Sequence, residues 1–149
     1  MDPMTRRTAL LLGAALTLTV VVADEGAATP AEADAEIAKF TGAKAAENGK
    51  IAIDLPEIAE NGNTVPMSIK IDSPMTANDY VSEILVVGDA NPNPRIVRFH
   101  LTPMAGRAEV ATRIRLGGTG DVTVLAKTST GKLYSDRKAV KVTVGGCGG

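Results

Sequence analysis

The chain has 149 residues, enough for one domain but too few for two of ordinary size. Its formal net charge of −1 gives no reason to expect nucleic acid or an anionic membrane as a partner. Aromatic residues make up only 3% of the chain, so the core must consist mainly of aliphatic side chains. One cysteine and one histidine exclude a disulfide framework within the chain and a cysteine-rich zinc site.

Residues 1–23 have the pattern of an export signal. Arg6 and Arg7 precede an apolar stretch from Ala9 to Ala23, and an acidic, alanine-rich segment follows. The stretch has about 15 residues, short of the roughly 20 that a membrane-spanning helix needs, although a membrane anchor is the alternative. The paired arginines resemble a twin-arginine signal, except that Ala9 stands where an aromatic residue is expected. We therefore predict cleavage after Ala23 and a periplasmic protein that no longer contacts the membrane.

A short helix is predicted directly before the strands. Thr29-Pro30-Ala31-Glu32 has the form of a capping box with proline at the first helical position. Ala33, Ile37 and Phe40 follow at helical spacing, and Gly42 is a stop signal. We expect the helix at about residues 30–40.

From Lys50 onward the hydrophobic period changes from about 3.6 residues to about 2, which is typical of strands. Turn signals recur at intervals of roughly ten residues, and no helical crossover separates the strands. The pattern predicts an all-β fold, an immunoglobulin-like antiparallel β-sandwich of about seven strands within residues 24–144. The predicted strands lie near residues 51–55, 65–71, 80–87, 97–101, 110–116, 122–126 and 134–144.

Two of these segments are apolar on both faces. They are Ile84–Val87 and Val122–Leu125. Since a sandwich strand in a monomer has one face toward water, something must cover the second face. An overlying loop or the N-terminal helix is one candidate, and a partner subunit is the other.

The only cysteine, Cys147, stands between two glycine pairs, Gly145-Gly146 and Gly148-Gly149, directly after the last strand. Glycine loses more conformational freedom than any other residue when it is ordered, so these five residues are expected to form a flexible arm. Fully extended, the chain from Val144 to Cys147 reaches roughly 10 Å. The arm is therefore suited to placing a thiol in a narrow cleft of another protein.

Cys147 itself has no local means of activation. No basic residue lies in the tail, and a thiol of ordinary pKa, about 8.5, is mostly protonated at neutral pH. A covalent carrier acted on by partner enzymes is therefore favoured over a stand-alone thiol oxidoreductase. An incidental cysteine, an intermolecular disulfide and a carrier activated at the carboxylate of Gly149 are the other interpretations. An exported, non-catalytic binding or assembly domain is the alternative function.

Several segments resemble the SoxY family, the sulfur-carrier subunits of the thiosulfate-oxidising Sox system. The resemblance covers nearly the whole mature chain and rests on the terminal arm together with residues 54–66, Ser73-Pro74-Met75-Thr76 and Arg113-Ile114-Arg115-Leu116. It implies that Cys147 is the covalent sulfur attachment site, with Gly145, Gly146, Gly148 and Gly149 as its arm.

The resemblance also implies partners. The expected ones are a SoxZ-like subunit in a heterodimer, a haem-containing SoxAX enzyme that joins thiosulfate to the cysteine, SoxB that hydrolyses off sulfate, and in some systems a sulfane dehydrogenase. Haem, metal and molybdenum then belong to those partners, and no cofactor or metal is expected in this chain. The remaining candidates are assigned no site. Solvated strand positions are expected for His100, Arg113 and Arg115, and core or loop packing is expected for Met67, Met75 and Met104.

Overall fold

A computed structural model of the chain describes residues 29–146. The predicted signal peptide and residues 147–149 lie outside this part. The elements are one α-helix, a short 3-10 turn at Pro103–Ala105 and a series of strands. Their bounds are α1 Pro30–Thr41, β1 Ile51–Asp54, β2 Ile58–Asn61, β3 Val65–Ile71, β4 Val81–Gly88, β5 Arg95–His100, β6 Ala108–Ile114, β7 Gly120–Thr128 and β8 Leu133–Val144.

The strands form two sheets, which confirms the predicted sandwich. The smaller sheet has the order β1-β3-β6 and the larger has the order β2-β8-β7-β4-β5. Strand β3 shows the expected alternation, with every second side chain from Val65 to Ile71 buried between the sheets. Neighbouring strands are antiparallel, except that β2 runs parallel to β8.

Strand β2 is the element that the sequence did not predict. Pro56 is a signal that the preceding strand ends, and the four residues Ile58–Asn61 carry little apolar alternation. Their burial also runs against their hydrophobicity, because Ala59 is buried in the core while Ile58 is 59% exposed. The predicted turn at Asn61-Gly62-Asn63 is present, and Asn61 Oδ1 accepts a 2.9 Å hydrogen bond from the amide of Asn63.

Helix α1 confirms the predicted N-terminal helix. At its start the amide of Thr29 donates a 2.9 Å hydrogen bond to Glu32 Oε2, the half of the capping box in which the acidic side chain reaches back. At its end Gly42 adopts a left-handed conformation with φ of 63°, and its cap amide bonds to the carbonyl of Ala38.

The helix settles what covers the second apolar face of β4 and β7. Ala33 and Phe40 of α1 form a buried cluster with the outward-facing side chains of the central strands, which are Leu85, Val87, Leu125 and Leu133. The larger sheet therefore has the smaller sheet on one face and α1 on the other. No partner subunit is needed to explain these two strands.

Candidate functional site

The predicted carrier arm leaves the domain at the end of β8, the strand next to β2. Val144 is the last residue of β8, and its side chain is 61% exposed. Gly145 is exposed, whereas Gly146 is buried. The described residues do not include Cys147, Gly148 and Gly149, so the sulfur attachment site remains a prediction. The structure describes only the base of the arm, Gly145 and Gly146.

Gly146 is held against the domain by the backbone. Its amide donates a 2.8 Å hydrogen bond to the carbonyl of Leu116, which follows strand β6. The amide of Leu116 in turn donates to the carbonyl of Gly62 at 2.8 Å, and the amide of Gly62 donates to the carbonyl of Val144 at 2.8 Å. Three separate chain segments therefore meet at the base of the arm, and we call Gly62, Leu116, Gly117, Gly145 and Gly146 the arm junction.

Close backbone contact explains why the junction is rich in glycine. A Cβ atom on Gly62 would overlap the carbonyl oxygen of Leu116 and lie 2.6 Å from the amide nitrogen of Gly146. A Cβ on Gly145 would overlap the carbonyl oxygen of Gly117, and one on Gly146 would lie 2.8 Å from the carbonyl oxygen of Gly62. Backbones can approach this closely only where side chains are missing.

A buried asparagine supports the junction from the neighbouring loop. Asn91 is 8% exposed; its Oδ1 accepts a 2.7 Å hydrogen bond from the amide of Gly117, and its Nδ2 donates to the carbonyl of Arg115 at 2.9 Å. Gly117 also packs against this loop, since a Cβ there would lie 2.9 Å from the carbonyl oxygen of Ala90. The side chain of Asn91 thus sets the position of the segment on which the arm rests.

Docking of the arm base has both a favourable and an unfavourable contribution to the free energy. One backbone hydrogen bond stabilises by about 1 kcal/mol net. Ordering the backbone of a residue costs about 1–2 kcal/mol, and glycine has the most freedom to lose. The hydrogen bond from Gly146 and the burial of that residue act against the cost of ordering Gly145 and Gly146.

Positive charge lines a cleft beside the junction. The cleft has a volume of about 320 Å³ and lies between β5 and β6, with Arg95, Arg113 and Arg115 in its lining and no acidic residue. All three arginines are exposed, as is His100, in agreement with the solvated positions expected for His100, Arg113 and Arg115. Nη1 of Arg113 donates a 3.3 Å hydrogen bond to Oγ1 of Thr64, the residue just before β3.

The described residues provide neither a metal cluster nor a spanning helix. Between residues 29 and 146, no group of three or more His, Cys, Asp or Glu side chains could hold a metal ion. The same residues include no helix long and apolar enough to cross a membrane. Met67 and Met75 pack in the core, whereas Met104 is 96% exposed in the 3-10 turn.

A comparison with protein-family models decides the family. The model described as sulfur oxidation protein SoxY matches residues 37–147, which is most of the chain. The chain belongs to the SoxY family. The match takes in the strands of both sheets, the junction and, at its last position, Cys147.

A solved structure supports the same assignment. The sulfur carrier protein SoxY from Chlorobium limicola f thiosulfatophilum is 31% identical in sequence, with a TM-score of 0.62. The alignment covers 76% of this chain and 98% of that one. The resemblance to SoxY seen in the sequence is thereby confirmed.

More distant neighbours share the fold alone. The superoxide reductase (neelaredoxin) from Ignicoccus hospitalis is 19% identical with a TM-score of 0.57, covering 79% of this chain and 96% of that one. The superoxide reductase from Nanoarchaeum equitans is 10% identical with a TM-score of 0.53, covering 64% of this chain and 100% of that one. No curated protein matches the SoxY-family chain in a sequence search.

The sequence did not reveal the arm junction. Gly145 and Gly146 were expected to belong to a flexible arm, and the structure shows that these two residues contact the domain. Two features of the sequence are consistent with the arm junction, although neither predicts it. Leu116-Gly117-Gly118 places glycines directly after an apolar strand, and Gly62 occupies a turn in which asparagine would also serve. Neither signal identifies its partner, because the contacts join segments far apart in the chain.

Proposed function

We propose that this protein is a periplasmic sulfur carrier that holds thiosulfate-derived intermediates covalently on Cys147. The observation that carries the proposal is the SoxY-family match, which extends to Cys147, the only cysteine of the chain. The exposure of Val144 and Gly145 at the end of β8 supports the proposal, because the segment leading to Cys147 starts from the surface. The similar protein from Chlorobium limicola f thiosulfatophilum is a sulfur carrier protein, which supports the same role here.

The chemistry assigned to Cys147 needs partner enzymes. Joining the thiol to the outer sulfur of thiosulfate forms an S–S bond and releases a proton and an electron pair. A haem enzyme of the SoxAX kind accepts the electron pair. Water then attacks the sulfonate sulfur, sulfate leaves with the oxygen of that water, and a persulfide stays on the cysteine. SoxB-like and sulfane-dehydrogenase-like enzymes are the proposed catalysts of the later steps.

The protein is on this proposal a substrate carrier and not an enzyme. The tail contains no base or cation that would activate the thiol, so the proposal assigns that activation to the partner's active site. A SoxZ-like subunit is the proposed companion in a heterodimer. The arginine-lined cleft beside the junction is consistent with an anionic cargo.

The second candidate, an exported binding or assembly domain, has lost its main motivation. It rested on the two strands that are apolar on both faces, and α1 covers the second face of both. A binding domain of this kind would not need its last five residues.

Intact-mass analysis of protein isolated from its native compartment tests the proposal. We expect mass increases that correspond to persulfide or thiosulfonate and that map to the C-terminal peptide. Cys147→Ser should remove every adduct and thiosulfate-dependent electron transfer while leaving the unfolding transition unchanged.

Deletion of residues 145–149 separates the two candidates. A carrier loses all activity with its partner enzymes, whereas a binding domain keeps its function. Full thiosulfate-dependent activity in either Cys147→Ser or the truncated protein would rule out the carrier.

A further inference from the structure

The geometry points to a docked root for the carrier arm: we infer that Gly145 and Gly146 are glycines because they must fit the arm junction. The docking itself rests on the described residues. Its functional consequence, the presentation of Cys147 from a fixed point on the domain, rests on the proposed function.

The hydrogen bonds of the domain reach as far as Gly146. Gly146 is the last described residue, and its amide is bonded to the carbonyl of Leu116 at 2.8 Å. Its own position is buried, which distinguishes it from the exposed Thr143, Val144 and Gly145 before it. An arm that served mobility alone would have no reason to bury its second glycine.

Steric fit gives an independent reason. Alanine at Gly145 would overlap the carbonyl oxygen of Gly117, and alanine at Gly146 would crowd the carbonyl of Gly62 from 2.8 Å. Position 62 must also be glycine for the arm to dock, because a Cβ on Gly62 would lie 2.6 Å from the amide nitrogen of Gly146. Gly62 is therefore a positioning residue that acts on the arm from 84 residues earlier in the chain.

Docking changes what a partner enzyme meets. With a free arm from Gly145, the thiol could be offered over a radius of roughly 10 Å from the end of β8. With the root docked, Cys147 is one peptide unit, about 3.8 Å between Cα atoms, from a residue fixed to the domain. A partner enzyme then has to recognise the surface around the junction together with the tail.

Matched alanine variants separate docking from mobility. Gly145 and Gly149 each lie two residues from Cys147, so Gly145→Ala and Gly149→Ala stiffen the tail at equal distances from the sulfur. If the glycines serve mobility alone, both variants should behave alike. If the root is docked, only Gly145→Ala should expose the amide of Gly146.

The readout is amide hydrogen exchange of the full chain, followed by NMR. In the wild type and in Gly149→Ala we expect the Gly146 amide to exchange about fivefold more slowly than an unstructured glycine amide, and in Gly145→Ala we expect that protection to vanish. Gly146→Pro, which removes the donor, should leave the rest of the domain protected. With the SoxAX-type enzyme, Gly145→Ala should load thiosulfate at a changed rate and Gly149→Ala at the wild-type rate.

A wild-type Gly146 amide that exchanges as fast as an unstructured one would overturn the docked root, whether or not Cys147 carries sulfur. Equal protection in Gly145→Ala and Gly149→Ala would overturn the steric argument. If protection follows the expected pattern but no adduct is ever found on Cys147, the docking stands and the carrier proposal fails.

Discussion

The amide of Gly117 donates a 2.7 Å hydrogen bond to Oδ1 of Asn91, a side chain that is 8% exposed and lies 26 residues earlier in the chain. Through this bond a loop between β4 and β5 fixes the segment after β6, and that segment carries the base of the arm. The position of the arm base thus depends on the buried side-chain amide of Asn91, which lies in a different loop.

Asn91→Ala should destabilise the domain. The substitution leaves the amide of Gly117 and the carbonyl of Arg115, which are partly buried, without their partner, and an unpaired group in the interior costs about 1–3 kcal/mol. We expect the free energy of unfolding to fall by about 2–4 kcal/mol in denaturant titrations. Asn93→Ala, at an exposed position of the same loop, is the control, with an expected change below about 1 kcal/mol. Equal losses in both variants would contradict the role of Asn91.

Gly62→Ala should be costly where Gly118→Ala is not. The added methyl at position 62 meets the backbone of Leu116 and Gly146, which cannot move aside like the end of a flexible side chain. A loss of about 1–3 kcal/mol in the free energy of unfolding is typical of such overpacking. At Gly118 the nearest atom is the Cβ of Ala90 at 3.9 Å, so we expect a change within about 0.5 kcal/mol. The prediction is wrong if the two variants unfold at the same denaturant concentration.

Phe40→Ala should loosen α1 from the larger sheet. Phe40 is 9% exposed in the cluster with Leu85 and Leu125, and the guanidinium of Arg98 lies 5.8 Å from the centre of its ring. Truncation of a buried phenylalanine typically lowers the free energy of unfolding by about 3–5 kcal/mol. We expect a loss at the lower end of this range, because the cluster lies between a single helix and one face of the sheet. Ile58→Ala, at a 59% exposed site, should cost less than about 1 kcal/mol. Circular dichroism during thermal unfolding would reveal whether helix signal is lost before the strands unfold.

Glu36 gives α1 a mild pH dependence. A 2.7 Å hydrogen bond from Lys39 Nζ lowers the pKa of the Glu36 carboxyl below its ordinary 4.5, and the positive charges of Lys39, Arg95 and Arg98 act in the same direction. A carboxyl whose pKa is lower in the folded state stabilises that state at higher pH, and this contribution disappears as the pH falls through the folded value. Glu36→Gln should therefore be less stable than the wild type at pH 7 and equal to it in strong acid.

A carbon-13 titration of the Glu36 carboxyl checks the cause. Lys39→Met should return the pKa toward its ordinary value, because it removes both the hydrogen bond and the nearest charge. An unchanged midpoint in that variant would show that Lys39 is not responsible.

Local patterns accounted for much of the fold. The capping residues around Thr29 and Glu32 predicted where α1 begins, and the alternation from Val65 to Ile71 predicted a strand with one buried face. Strand β2 was not predicted, because it pairs with β8, which is distant in the chain, and because its Ile58 is exposed. Sequence could not choose between a helix and a partner subunit over Leu85 and Leu125, since both would produce the same apolar pattern.

The sequence by itself determined the sandwich, its helix, the SoxY family and the single cysteine between glycines. Each of these features can be recognised from the spacing or the identity of residues that are close together in the chain. Only the tertiary structure decided that α1 covers the central strands and that the first two glycines of the tail rest on Leu116 and Gly117. Close contact between backbones depends on where distant segments meet, and a glycine needed for such a contact looks the same in a sequence as a glycine needed for freedom of movement.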